Sequence, residues 1–168
     1  MSSLTPNQDY PFDLIQLKTP KPLQGGSFFS KITLDGDELI IQTPKCKTKS
    51  GIHSTGKKVY SDIQFDTDND EFIMWVQDLE DRVKELILEK NDTWFHEPLN
   101  AEDIDYLWNT SVRTYKKNNF LVRSFIEKNR KLNTLSLNIW DNNDQDLSVD
   151  DVTSDKEIIC ILEITGLK

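Results

Sequence analysis

Apolar residues at Phe72, Val76, Leu79, Val83 and Leu86 recur in steps of four and three, the period of one helical face. The spacing predicts a long amphipathic helix over residues 68–90, with Trp75 flanking the stripe and Ile87 widening it. Asp68 suits the N-cap, with Glu71 three residues on. Asp70, Glu71 and Asp78 in the early turns and Lys90 in the last suit the helix dipole. Glu80, Asp81, Lys84, Glu85 and Glu89 keep the opposite face wet.

Around this helix the period shortens to two. Phe28, Ser30, Ile32 and Leu34 alternate with Phe29, Lys31 and Thr33, and Asp35-Gly36 turns the chain into Glu38–Thr43, which reads as a β-hairpin. Residues 44–56 read as a polar loop. The next strand sets Val59, Ile63 and Phe65 on one face and Lys58, Tyr60, Asp62 and Gln64 on the other. Trp94-Phe95-His96 reads as a packed aromatic linker to a short helix capped by Asn100, with Asp103 at N3 and Ile104, Leu107 and Trp108 as its apolar face. Strands follow at Val112–Lys116, Phe120–Ile126, Leu135–Trp140 and Glu157–Thr165; the run Ile158–Leu162 is apolar on both faces, as in a central or covered strand. The expected architecture is α+β and β-rich: an OB-like curled sheet or barrel of about seven short strands, one long helix and one short helix. Residues 1–26, with Pro6, Pro11, Pro20 and Pro22, read as an extended N-terminal arm, in which Tyr10, Phe12, Leu14 and Ile15 offer an anchoring strand. Residues 27–168 read as a single domain.

Composition adds boundaries. The apolar fraction of 36% supports a core in a chain of 168 residues. No stretch approaches the roughly 20 apolar residues of a membrane span, and the first residues lack a basic and apolar secretory leader. Cys46 and Cys160 stand far apart, Cys160 as an expected core residue, so no disulfide framework is expected and a reducing compartment fits. The net charge of −9 is uneven: +2 over residues 1–62, −11 over 63–107, +6 over 108–131 and −6 over 132–168. The local +6 is the charge feature that asks for a partner.

Motifs of catalysis fall short. Gly51 to Lys57 follows the first seven positions of a phosphate-binding P-loop, but Lys58 stands where Ser or Thr would hold Mg²⁺, and a strand follows instead of a helix. Cys46, His53, His96 and Cys160 lack the short spacings of a zinc site. Asp141, Asp144, Asp146, Asp150 and Asp151 lack the Gly and final Glu of a calcium loop. Asn91-Asp92-Thr93 and Asn109-Thr110-Ser111 are formal glycosylation sequons without a leader. Two histidines in unlike segments suggest no triad. The expectation is a non-catalytic protein without cofactor, metal or small-molecule substrate.

The basic hairpin is more telling. A loop over Lys117–Asn119 groups Val112, Phe120, Val122 and Ile126 on one face and Arg113, Tyr115, Leu121, Arg123 and Phe125 on the other; a two-residue Asn118-Asn119 loop would put charge beside core. Arginines interleaved with aromatic residues on an open face suit the stacking of single-stranded bases. Lys57, Lys58 and Tyr60 offer the same mixture nearby. The candidate nucleic-acid-binding residues are thus Arg113, Tyr115, Lys116, Lys117, Arg123, Phe125, Lys57, Lys58 and Tyr60. The plain alternative is a solvated edge whose lysines guard against aggregation and whose arginine stems lie over surface aromatics.

The segments Pro22-Leu23-Gln24-Gly25-Gly26, Gln42-Thr43-Pro44-Lys45-Cys46, Thr55-Gly56-Lys57-Lys58, Trp94-Phe95-His96 and Leu162-Glu163-Ile164-Thr165-Gly166 together resemble an uncharacterised protein family of giant nucleocytoplasmic DNA viruses. The resemblance covers most of residues 22–168. It implies an intracellular viral protein, in the host cytoplasm, a viral factory or the virion, and a chain that lacks a final C-terminal strand present in that family, which leaves Ile158–Ile164 as an expected exposed edge. The order of elements is also similar to that of the single-stranded-DNA-binding proteins of short-tailed phages, OB-folds with an inserted helix. Two partner classes follow: single-stranded DNA, or viral proteins and further copies of the chain in assembly.

Overall fold

The computed structural model describes residues 5–7, 9–129 and 131–168, and the chain forms two compact units. Among the described residues the protein is α+β and β-rich, 38% strand and 25% helical, and no sheet closes into a barrel. Residues 27–168, expected as one domain, contribute to both units.

One unit joins the residues through Thr43 with Glu71–Thr110 and Cys160–Lys168. Its strands are β1 (Ile15–Leu17), β2 (Lys21–Pro22), β3 (Phe28–Leu34) and β4 (Asp37–Gln42). The β3–β4 hairpin turns at Asp35 and Gly36, both at positive φ, the primed turn that Asp-Gly favours. β1 and β2 pair with β3, so this part of the expected arm is a sheet element with Ile15 buried. The other part is anchored too. Tyr10, buried, lies 5.0 Å edge-on to Trp75, and Arg82 Nε donates to the Phe12 carbonyl at 3.1 Å. Burial pushes the Tyr10 phenol up to about 12.

The organising helix, α1 (Asp70–Trp94), starts two residues later than expected and ends four later. Asp66, not Asp68, begins it: its carboxylate accepts the Asp68 N–H at 2.9 Å and Asn69 Oδ1 accepts the Asp66 N–H, across a 3-10 turn at Thr67–Asn69 that leads into α1. The buried stripe is Phe72, Ile73, Trp75, Val76, Leu79, Val83 and Ile87, with Ile87 in place of Leu86. The helix runs through Lys90 without a basic last turn, and Phe95 and His96 beyond it are exposed instead of packed. α2 (Ala101–Leu107) begins at the expected Asn100–Asp103 capping box, buries Ile104, and lies beside α1 through Lys84–Asp105 at 3.1 Å.

In the second unit, Pro44–Asp70 and Ser111–Ile159, β5 (Lys47–Thr55) occupies the stretch expected as a loop. A bulge between Thr48 and Ile52 interrupts its pattern, with Gly51 at φ 76. Thr48 Oγ1 accepts the Gly51 N–H and Ser61 Oγ donates to the Gly51 carbonyl, both at 2.8 Å, so two hydroxyls satisfy the bulge and its irregular spacing escapes a strict period of two. β5, β6 (Lys58–Phe65), β8 (Asn119–Ile126) and β7 (Val112–Tyr115) make an antiparallel sheet in that order. The β7–β8 loop is residues 116–118, because Tyr115 pairs with Asn119. The expected register is therefore off by two, which keeps every side chain on its expected face; side-chain sorting cannot detect such a slip.

β9 (Lys128–Asn129) and β10 (Thr134–Leu135) form a small ribbon. The strand expected over 135–140 shrinks to β10 and a Trp140–Asp146 bridge. The last expected strand breaks into an Ile158–Cys46 bridge, then, in the first unit, β11 (Ile161–Ile164) and β12 (Gly166–Leu167). β11 pairs only with β4 among the described residues, the open edge expected of this strand, and it leaves Ile161 exposed where the apolar run had suggested cover. Cys46, not Cys160, is the buried cysteine, and neither forms a disulfide.

Candidate nucleic-acid interface

One face of the β5–β6–β8–β7 sheet is closed. Val59, Ile63 and Phe65 on β6 are buried, and their partners on β8 are Ile126, Val122 and Phe120. Alternation then turns Tyr60, Asp62 and Gln64 to the other face, opposite Phe125, Arg123 and Leu121. On β7 the same face carries Arg113 and Tyr115, and on β5 it carries His53, opposite Tyr60.

Asp62 is at the centre of this face. It is only 7% exposed, a placement that a carboxylate tolerates when its oxygens are paired. Arg123 donates Nε to Oδ1 at 2.9 Å and Nη2 to Oδ2 at 3.1 Å, a bidentate fork, and Arg113 Nη2 reaches Oδ1 at 3.1 Å. The Arg123 hydrogen bond is the main reason the Asp62 carboxyl lies below its usual pKa, against the opposing effect of burial. The guanidinium side chains keep 51% (Arg113) and 41% (Arg123) of their surface. Each guanidinium has five N–H donors, and Asp62 takes two from Arg123 and one from Arg113, so most point elsewhere.

The aromatic side chains form a row across three strands: His53 to Tyr60 at 5.4 Å, and Tyr60 to Phe125 at 6.4 Å. Arg123 lies 4.2 Å over the Tyr60 ring, so one guanidinium is held by a carboxylate and an aromatic face together. Phe125 is 64% exposed. Tyr115 has Lys49 Nζ at 5.0 Å and Lys116 Nζ at 5.3 Å from its ring. Leu121, cross-strand from Arg113 and two residues before Arg123, is buried on this face.

Of the nine residues picked out by sequence, Tyr60, Arg113, Tyr115, Arg123 and Phe125 share this face. Lys116 and Lys117 lie in the turn at one end of β8. Lys57 and Lys58 line a cleft with Phe125 at the other end. Sequence reasoning missed three neighbours. Alternation gives Asp62 its face but no role, and the bulge hides the alternation of β5 that would bring in Lys49 and His53. Both arginines are held in an ion pair by Asp62 on β6, the strand next to Arg123's β8 and one removed from Arg113's β7.

Among the described residues no cluster of three or more His, Cys, Asp or Glu side chains is arranged to hold a metal, and no helix is long and apolar enough to cross a membrane. No protein-family model matches the chain, and no curated protein or solved structure matches it.

Proposed function

We propose that the open face of the β5–β8 sheet is a non-catalytic platform for single-stranded nucleic acid. The observation that carries the reading is the Asp62–Arg123–Arg113 cluster beside an exposed Phe125 and the Tyr60 ring. A surface arginine loses side-chain entropy when it grips a phosphate; here Asp62 has already fixed the fork. Asp62 offsets one of the two arginine charges, leaving Lys49, Lys58, Lys116 and Lys117 to supply most of the remaining attraction. The eight residues of β8 separate its two lysine-bearing ends by about 23 Å, seven steps of ~3.3 Å, enough for on the order of four nucleotides, the low end of single-fold sites. The OB-like reading belongs to this proposal in a limited form: an open sheet that presents bases to aromatic rings, without barrel closure. So does the viral reading, supported by the resembling segments, with action in the host cytoplasm, the viral factory or the virion.

Competition tests it. A labelled 30-nucleotide strand bound at low salt should be displaced by unlabelled single strand and much less well by duplex of equal length, because stacking needs unstacked bases. Equal displacement by both would reduce the face to a charge patch. A second reading, protein–protein contact in assembly, is favoured by α2, whose Tyr106 is 90% and Leu107 63% exposed beside a strongly acidic helix. Failure of all nucleic-acid binding would promote it.

A further inference from the structure

We infer that the cleft at the β6 start of this sheet is a nucleotide site, taking one base and its phosphate. The inference rests on the platform reading and specifies where along it a base is gripped. The cleft measures about 530 Å³ and lies where the β5–β6 and β9–β10 turns come together, with Gly56 and Asn133 among its lining residues. Both take left-handed backbone, which makes the turns tight. Lys57, Lys58 and Lys128 line it and Glu127 is the sole acidic lining residue, so its charge suits a phosphate. None of these three lysines is in an ion pair among the described residues.

Phe125 supplies the second half of the chemistry. Its ring is largely uncovered and lines the same cleft, and an aromatic face next to cations fits a nucleobase joined to a phosphate. A bare phosphate would use only the lysines, and an apolar ligand only the ring. β7 pairs with β8 only as far as Val122, so no β7 partner lies beside the Phe125 end. Lys128, on β9, adds a cation that the pattern of the four-stranded sheet does not mark. The same base-plus-phosphate chemistry comes from a nucleotide within a strand or from a free mononucleotide.

Titration of the full chain with thymidine 5′-monophosphate, thymidine, inorganic phosphate and a ten-residue oligothymidylate, followed by amide chemical shifts, separates the sources. The monophosphate should shift Lys57, Lys58, Phe125 and Lys128 amides at concentrations where thymidine and phosphate do not, and the oligomer should compete with it. Phe125→Ala should weaken both ligands by roughly 5- to 150-fold, the range for one stacked base. Lys128→Ala should weaken both and flatten the salt dependence of oligomer binding by about 0.7. Phe125 and Lys128 are exposed, so both variants should retain the wild-type spectrum elsewhere.

Phosphate binding as tightly as the monophosphate would overturn the site by removing the base. Oligomer binding that ignores Lys128→Ala but falls with Arg113→Ala and Phe125→Ala would overturn the cleft and keep the platform. Monophosphate binding without oligomer binding would keep the cleft and remove the platform. No binding of either would overturn both.

Discussion

Removing the Asp62 carboxylate tests the cluster without touching an exposed ring. Asp62 accepts three charge-assisted hydrogen bonds, each of which contributes about 1.5–3 kcal/mol when fully sheltered. The arginines are about half exposed, and in Asp62→Ala water re-solvates them, so most of that gross value is returned. A net loss of about 1–3 kcal/mol at pH 7 remains, in urea unfolding followed by circular dichroism. The pH dependence identifies its source. The folded pKa of Asp62 is lowered, so its stabilisation is complete above the unfolded carboxyl value of about 3.9 and is lost as pH falls through the lower folded value. The difference between wild type and Asp62→Ala should therefore hold constant from pH 7 to about pH 5 and shrink below about pH 4. Two results would refute the reasoning: no destabilisation at pH 7, or a loss that persists unchanged in acid.

Tyr10 tests the anchoring of the N-terminal segment: Tyr10→Ala removes a buried ring against Trp75 and should cost about 3–5 kcal/mol, seen as a melting temperature lower by roughly 6–20 °C. Deleting residues 1–9, which stops short of that ring, should leave the melt nearly unchanged. Gly51→Ala combines a left-handed backbone with a new Cβ 2.7 Å from the Val152 carbonyl oxygen, so it should destabilise by more than about 1 kcal/mol and broaden amide signals in β5.

Where local chemistry decides structure, the chain is readable without coordinates. Asp35-Gly36 demands a primed turn and makes one; Asn100 and Asp103 form the expected reciprocal cap; β6 presents its apolar residues to one side as alternation requires. The face of the candidate site was readable for the same reason, because period-two sorting survives a two-residue slip of the hairpin. What alternation cannot convey is pairing. The β5 strand is hidden by its bulge, the break between the two units follows long-range contacts, and the role of Asp62 depends on two arginines 51 and 61 residues away. Ile158 to Leu162 misled in the opposite sense, since an apolar run signals burial only if something covers it, and Ile159 and Ile161 lie open.

If ordered arginines and open rings act together on a single strand, a salt titration separates the two contributions. Binding of a labelled 30-nucleotide strand should show a slope of log K against log salt of about −3, as four phosphate contacts on a single strand require. The Arg113→Ala/Arg123→Ala variant should flatten it by about one to two units. Phe125→Ala should leave the slope alone and weaken binding by about 1–3 kcal/mol at every salt concentration. Absence of any complex at low salt, or a Phe125→Ala curve that overlies the wild type, would contradict the account.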